Sequence, residues 1–148
     1  MGEKKADPMD VDSVLEGLNK ALRLQQRSVL QLTRGAGSMF GLEFQAVGER
    51  LWLFARSELE DTKLLVEKIT ALGGDPAVEL APVQWHEDPR AAIDALVESE
   101  DEAIAALHAV IPHTGQEPRS EALEHLMEHL IMRKQNQVDW LRRARRTP

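Results

Sequence analysis

The chain of 148 residues contains no cysteine and no tyrosine. Without cysteine there is no disulfide framework and no thiol chemistry to consider. No apolar run approaches the ~20 residues of a membrane-spanning helix, and the first ten residues lack the apolar segment of a secretory signal. A formal charge of −7 removes the electrostatic basis for nucleic-acid binding. We therefore expect a cytoplasmic protein without membrane or nucleic-acid partners, with a flexible leader of residues 1–10 and one domain over residues 11–146.

Apolar residues recur with the period of a helix in four segments, and polar groups interrupt each of these stripes at one level. The polar residues in the gaps are Gln25, then Glu58 and Asp61, then Glu100, and finally Lys134 and Gln137. Four such helices packed as a bundle would bring these groups together in the interior. Buried charge is costly unless it is paired or bound to a metal. The sequence therefore predicts an all-α bundle with a polar layer inside its core.

Capping residues and helix breakers predict the limits of the four helices. Asp12 or Ser13 can cap the first helix, which we expect to end near Thr33 because Gly35 and Gly37 follow. The other expected limits are about Leu42 to Leu72, Asp88-Pro89 to Ile111-Pro112, and Pro118 or Ser120 to about Arg145. The connection from Ala77 to Glu87 is long for a bundle loop. Such a length suits a crossover that joins opposite ends of the bundle.

The order of these elements resembles the ferritin-like family, and bacterioferritin in particular, from about Val14 to Leu141. The local matches are Leu18-Asn19 with Leu22, Phe40-Gly41-Leu42, Leu72 to Pro76, Glu87-Asp88, and Val138-Asp139-Trp140-Leu141. The resemblance implies a ferritin-like up-down four-helix bundle with a long crossover between helices two and three. It also implies iron homeostasis, since bacterioferritins hold two irons. The ligands are a Glu on helix one, a Glu on helix three, and a Glu-x-x-His on each of helices two and four.

At the positions that match these ligands, the chain keeps two carboxylates and departs at four places. The matching residues are Gln25, Glu58, Asp61, Glu100, Lys134 and Gln137. We expect an ion-pair network of Glu58, Asp61, Glu100 and Lys134 to replace the diiron centre, in a structural or interaction subunit without ferroxidase activity. The alternative is an iron-binding or iron-storage protein in which Glu58, Asp61 and Glu100 bind one iron or another divalent ion.

The resemblance also bears on haem and on assembly. Bacterioferritins bind haem between two subunits through a Met that follows the helix-two Glu, and Leu59 occupies that position here, so we expect no haem. Pro148 is only a few residues beyond Leu141, so we expect no fifth helix of the kind found in the family's cages. We expect a homodimer through helices one and two, or a hetero-oligomer with another ferritin-like chain. Trp52 and Leu53 lie off the core stripe, where a partner could cover them, or they could pack under the crossover.

A second candidate metal site lies on helix four, where His125 and His129 have i, i+4 spacing. This spacing can hold a transition metal. No ligand from another segment is evident, so we interpret this region as a solvated, charged face.

Overall fold

The computed structural model describes residues 7–146 of the chain. Within this range the chain forms four long helices, α1 (Val11–Ser38), α2 (Gln45–Ala71), α3 (Pro89–His108) and α4 (Ser120–Arg145). Short 3-10 turns at Leu42–Phe44 and Ile111–His113 complete the regular structure of this part, which contains no strand. None of its helices combines the length and the apolar character of a bilayer-crossing segment. The predicted all-α four-helix architecture is confirmed.

Helix α1 begins earlier than the sequence predicted. Its N-cap is Asp10, whose Oδ1 accepts a hydrogen bond from the Ser13 backbone N–H at 3.2 Å. Ser13 is thus the donor to the cap, because a carboxylate at Asp10 can reach the free N–H groups of the first turn. Asp10 N also donates to His113 O at 3.0 Å, and Met9 is buried. Residues 7–10 therefore contact the bundle, and the rest of the predicted leader lies outside the described residues.

Helix α1 also ends later than predicted, since it continues through Gly35 and Gly37 to Ser38. At Gly35, α1 and α2 approach closely, and a Cβ added to this glycine would lie 2.8 Å from Leu51 Cδ1 of α2. Glycine is needed here for close helix packing, and it does not end the helix. The end of α2 agrees with the prediction, because Gly73 follows it with a φ of +84°.

The crossover carries the chain back along the length of α1. Near its start, Ala77 N donates to Asn19 Oδ1 at 2.8 Å, and near its end Gln84 N donates to Gln31 Oε1 at 2.7 Å. As a result, α3 begins at the same end of the bundle as α2. Helix α1 packs against both α2 and α3, and α3 packs against α4. This confirms the long crossover between the second and third helices.

The apolar core is divided into two clusters. One includes Leu22, Leu65, Leu107, Met127 and Leu130, and the other includes Leu32, Leu51, Ile93, Leu96 and Leu141. Buried polar side chains lie between them in the chain order of every helix, namely Gln25, Glu58, Glu100, Lys134 and Gln137. The polar interruptions in the four stripes thus coincide at one level of the folded bundle.

Candidate functional site

The polar layer is centred on the ammonium group of Lys134. Its Nζ lies 3.0 Å from Glu58 Oε2 and 2.8 Å from Glu100 Oε2, and all three side chains are fully buried. Helix α4 supplies the cation, while α2 and α3 each supply one carboxylate. The ammonium donates to both carboxylates, so a charge-assisted hydrogen bond ties α4 to each of these helices.

Gln25 adds the contribution of α1. Its Nε2 donates to the backbone oxygen of Glu58 at 3.0 Å and also contacts Glu58 Oε2 closely. Glu58 Oε2 therefore receives donors from both Gln25 and Lys134. An amide can donate here without adding charge, whereas a carboxylate at the same position would add a third negative group.

The surroundings shift the pKa values of Glu58 and Lys134. Burial raises the pKa of Glu58 to about 7, with the attraction of Lys134 opposing the rise and the nearby Glu100 adding to it. Burial by itself would lower the pKa of Lys134. The combined attraction and hydrogen bonds of Glu100 and Glu58 outweigh that effect and place the pKa above its usual range. Lys134 is therefore a permanent cation, and Glu58 changes protonation near neutral pH.

Asp61 is close enough to Lys134 and Glu58 to affect them electrostatically, but it makes its ion pair elsewhere. Its Oδ2 is 3.2 Å from Arg133 Nε, so the ion-pair partner of Asp61 among the described residues is Arg133. Arg133 also donates from Nη1 to Ser57 Oγ at 3.3 Å and lies 2.8 Å from His129 Nε2. Burial raises the pKa of Asp61, and Arg133 opposes this rise. Asp61 thus belongs to a polar rim between α2 and α4. The sequence predicted it in one network with Glu58, Glu100 and Lys134, and its ion pair with Arg133 corrects that prediction.

Two irons do not fit this set of donors. The Lys134 ammonium lies within hydrogen-bond distance of both carboxylates that would hold the metals. Of the three remaining positions, Asp61 is paired with Arg133. Gln25 and Gln137 are neutral amides and poor substitutes for anionic or imidazole ligands. Within residues 7–146 no three His, Asp or Glu side chains are arranged so that they could hold a metal ion. The centre of the polar layer holds the Lys134 ammonium, which is paired with the carboxylates of Glu58 and Glu100.

Three buried oxygens of the layer have no hydrogen-bond partner in the described part of the chain. They are Oε1 of Glu58, Oε1 of Glu100 and Oε1 of Gln137. A buried acceptor without a donor is costly. The two carboxylate oxygens could face a small cation, whereas the amide oxygen of Gln137 could accept a hydrogen bond.

A second buried polar group, which was not predicted from the sequence, is centred on Arg27 of α1. This side chain is almost fully buried, and it donates to Pro82 O at 3.2 Å and to Ser99 O at 3.3 Å. Gln31 Nε2 donates to Ser99 Oγ at 3.0 Å beside it. The signal was present in the sequence, because Arg27 lies on the inward face of α1 between Leu24 and Gln31. This group holds the crossover against α1 and α3.

The structure does not unite the two histidines of α4 in one site. His125 lies 3.3 Å from Glu121 and 3.7 Å from Glu128 on its own helix, while His129 contacts Arg133. Each histidine thus has a different set of neighbours.

The outer face of α2 carries three apolar side chains that are about half exposed, Trp52, Leu53 and Leu59.

Comparison with known proteins gives a consistent result for the whole bundle. A family model described as the ferritin-like domain matches residues 15–147. A Bacillus anthracis protein described as ferritin-like and diiron-carboxylate superposes with a TM-score of 0.87 at 24% identity, over 93% of this chain and 98% of that chain. A bacterioferritin-related dodecameric thioferritin from Bacteroides fragilis gives 0.82 at 19% identity, over 92% and 86%. Rhodobacter capsulatus bacterioferritin gives 0.78 at 20% identity, over 88% and 82%. No curated protein matches the chain.

Proposed function

The chain belongs to the family of ferritin-like domains, and from that premise we propose that it is a structural or interaction subunit in which an internal ion-pair network replaces the diiron centre. The observation that carries this proposal is the position of Lys134 Nζ, 3.0 Å from Glu58 and 2.8 Å from Glu100. The ammonium supplies the positive charge that metals supply in diiron proteins. It cannot bind oxygen or change its oxidation state, so the proposed role excludes a ferroxidase reaction at this layer.

The charge balance of the layer supports this role. Two carboxylates and one ammonium leave one excess negative charge, and protonation of Glu58 near neutral pH removes it. A buried ion pair that is broken by loss of one partner is strongly destabilising. The bundle is therefore expected to hold its fold without any metal.

A role as a subunit is supported by the family, because the Bacteroides fragilis relative forms a dodecamer. We propose that this chain likewise acts in an oligomer, either as a homodimer or beside another ferritin-like chain. In such an assembly it would contribute contacts rather than chemistry. The exposed apolar residues on the outer face of α2 support a partner on that side.

The second candidate function is iron binding at a residual site for one divalent ion. It is favoured by one observation, the free Oε1 atoms of Glu58 and Glu100. Carboxylate oxygens are suitable ligands for a hard divalent cation. Such an ion would compete with the Lys134 ammonium for the same two carboxylates, so this candidate requires the ammonium to move.

Metal content per chain separates the two candidates. The purified protein is loaded with Fe²⁺ under anaerobic conditions, briefly exposed to air, desalted and measured by elemental mass spectrometry. We expect a value near zero for the native chain and an unchanged melting temperature after chelation. About one iron per chain that is lost in Glu58→Gln and Glu100→Gln would establish the residual site. Many irons per chain would contradict the proposed role of Lys134.

A further inference from the structure

The solvent-facing side of α4 carries a continuous stripe of exposed side chains. They are Glu121, His125, Glu128, Met132, Asn136, Asp139 and Arg143. At about 100° per residue, these positions fall within a sector of about 80° around the helix. The buried positions of the same helix, such as Met127, Leu130 and Leu141, lie on the opposite side. The stripe is therefore a straight face of the bundle that no other described element covers.

Acidic and basic groups mark the two ends of this stripe. Glu121 lies in the first turn of α4, and Arg143 lies in the last turn. The neighbouring Arg142 and Arg145 are held by acidic residues of α3, at 2.8 Å and 2.9 Å respectively. Within residues 7–146, Arg143 forms no such ion pair, and its side chain is exposed. Its guanidinium is thus available to an acidic group outside this chain.

The stripe is complementary to itself when it is reversed about Met132. Positions equally distant from this residue form three pairs, Glu121 with Arg143, His125 with Asp139, and Glu128 with Asn136. The first pair joins opposite charges, the second joins an imidazole to a carboxylate, and the third joins a carboxylate to a side-chain amide. At the centre, Met132 is 57% exposed and would meet its own copy. Two antiparallel copies of α4 therefore match along the whole stripe.

Neighbouring registers lose this match. An axis one turn earlier, at Glu128, would place this carboxylate against its own copy. An axis one turn later, at Asn136, would place His129 against Arg143 and leave Glu121 beyond the end of the opposite helix. Juxtaposed like charges suppress a wrong pairing. The charges of the stripe thus select the register that is centred on Met132.

We propose that α4 docks in antiparallel orientation against α4 of a second copy of the chain, with Met132 at the two-fold axis. This contact rests on the proposed role as a subunit and gives that role a defined surface. It uses none of the exposed apolar residues on the outer face of α2. Each complementary pair occurs twice in it, as a closed two-fold interface requires.

The small area of the stripe makes this contact weak and dependent on salt. Helix α4 has 26 residues, so it extends about 39 Å, and a helix face about 10 Å wide gives roughly 400 Å² per copy. A standard stable interface buries about 800 Å² on each partner. Salt screens exposed charges over about 10 Å at 0.1 M. The docking should therefore be present at low ionic strength and be lost as salt is added.

Single cysteines test the contact and its register, because the chain contains no cysteine of its own. Met132→Cys should form a covalent dimer on mild oxidation in low salt, since its two copies meet at the axis. Asn136→Cys is the matched control on the same stripe. Its two copies would lie about 12 Å apart along the axis, beyond the reach of a disulfide, so it should stay monomeric on a denaturing gel. An equal mixture of Asn136→Cys and Glu128→Cys should link as a heterodimer, because a weak contact exchanges partners freely.

Charge reversal tests the pair at the ends of the stripe. In the Met132→Cys background, Glu121→Arg or Arg143→Glu should slow formation of the covalent dimer about tenfold, since the symmetry breaks two pairs at once. The two reversals combined should restore the rate, because each pair is rebuilt with its signs exchanged. Arg56→Glu makes the same charge change at an exposed residue of α2 and should leave the rate unchanged.

Three results would overturn the contact. They are a Met132→Cys protein that stays monomeric in low salt, an Asn136→Cys protein that links to itself as fast as Met132→Cys, and a combined reversal that stays as slow as the single ones. Each of them can occur in a chain that binds no iron, so they would remove this surface and leave the role of Lys134 in place. Iron bound by the native chain would contradict the role of Lys134 whatever the cross-links show.

Discussion

Replacing Lys134 by methionine removes the ammonium that holds Glu58 and Glu100 together and keeps a side chain of similar length. Both carboxylates are fully buried, so the variant leaves two like charges in a water-excluded layer. Breaking a buried ion pair by loss of one partner costs about 3–5 kcal/mol. For a chain of this size, such a loss corresponds to a fall in melting temperature of about 10 °C.

The cost depends on pH, because the carboxylates can take up protons. Without the ammonium, the attraction that opposes the rise in the pKa of Glu58 is lost, so this pKa rises further and Glu58 is neutral in acid. We therefore expect the full loss of unfolding free energy at pH 8 and a much smaller loss at pH 5. Thermal unfolding followed by circular dichroism at both values measures the difference between the variant and the native chain.

Two comparisons make the measurement specific. Lys63→Met removes an exposed lysine whose partner, Glu67, lies one turn along α2, and it should leave the melting temperature nearly unchanged. The triple variant Glu58→Gln, Glu100→Gln, Lys134→Met removes every charge of the network and should recover most of the stability at pH 8. A Lys134→Met protein that melts like the native chain at pH 8, or loses the same stability at both pH values, would refute the reasoning.

Two further predictions concern Glu58 and Arg27. The folded pKa of Glu58 is about 7 and the ordinary value is 4.5, so its stabilising contribution is complete below pH 4.5 and is lost as the pH rises to about 7. The native chain should therefore lose on the order of 3 kcal/mol over that window relative to Glu58→Gln, measured by urea unfolding, and equal pH profiles would contradict this. Arg27→Met leaves Pro82 O without the Arg27 donor, removes the contacts of Arg27 with Ser99 O and Glu102, and should cost about 2 kcal/mol. Hydrogen exchange should rise across residues 77–85 in this variant and not in Arg142→Met, which removes an exposed ion pair with Asp101 of α3.

The helices, the crossover and the level of the polar layer could be predicted from the sequence, because these features depend on local signals. Helical periodicity placed Gln25, Glu58, Glu100 and Lys134 in the core, and the structure brings them together. The length of the segment before Asp88 indicated the crossover. Each of these inferences requires only the spacing of residues within one segment.

The errors arose where a residue's role depends on another helix. The sequence predicts a helix end before Gly35 because glycine often ends helices, but the close approach of Leu51 of α2 is what requires glycine at this position. The sequence predicts Asp61 in one network with Glu58, Glu100 and Lys134, whereas its ion-pair partner is Arg133, the residue that precedes Lys134. Periodicity identifies the side of a helix that faces inward, but it does not give the rotation of α4 relative to α2. That rotation decides which of two adjacent cations reaches the carboxylate.

The polar layer between the two apolar clusters also has a consequence for how the helices align along their axes. Leucine-rich stripes by themselves would allow a helix to slide by one turn and still bury apolar groups. Sliding α4 by one turn, about 5.4 Å, would take the Lys134 ammonium away from Glu58 and Glu100 and place it among leucine side chains. An unpaired charge there is far more costly than a mismatched apolar contact. The buried lysine therefore selects a single axial register for the bundle, which ordinary hydrophobic packing does not do.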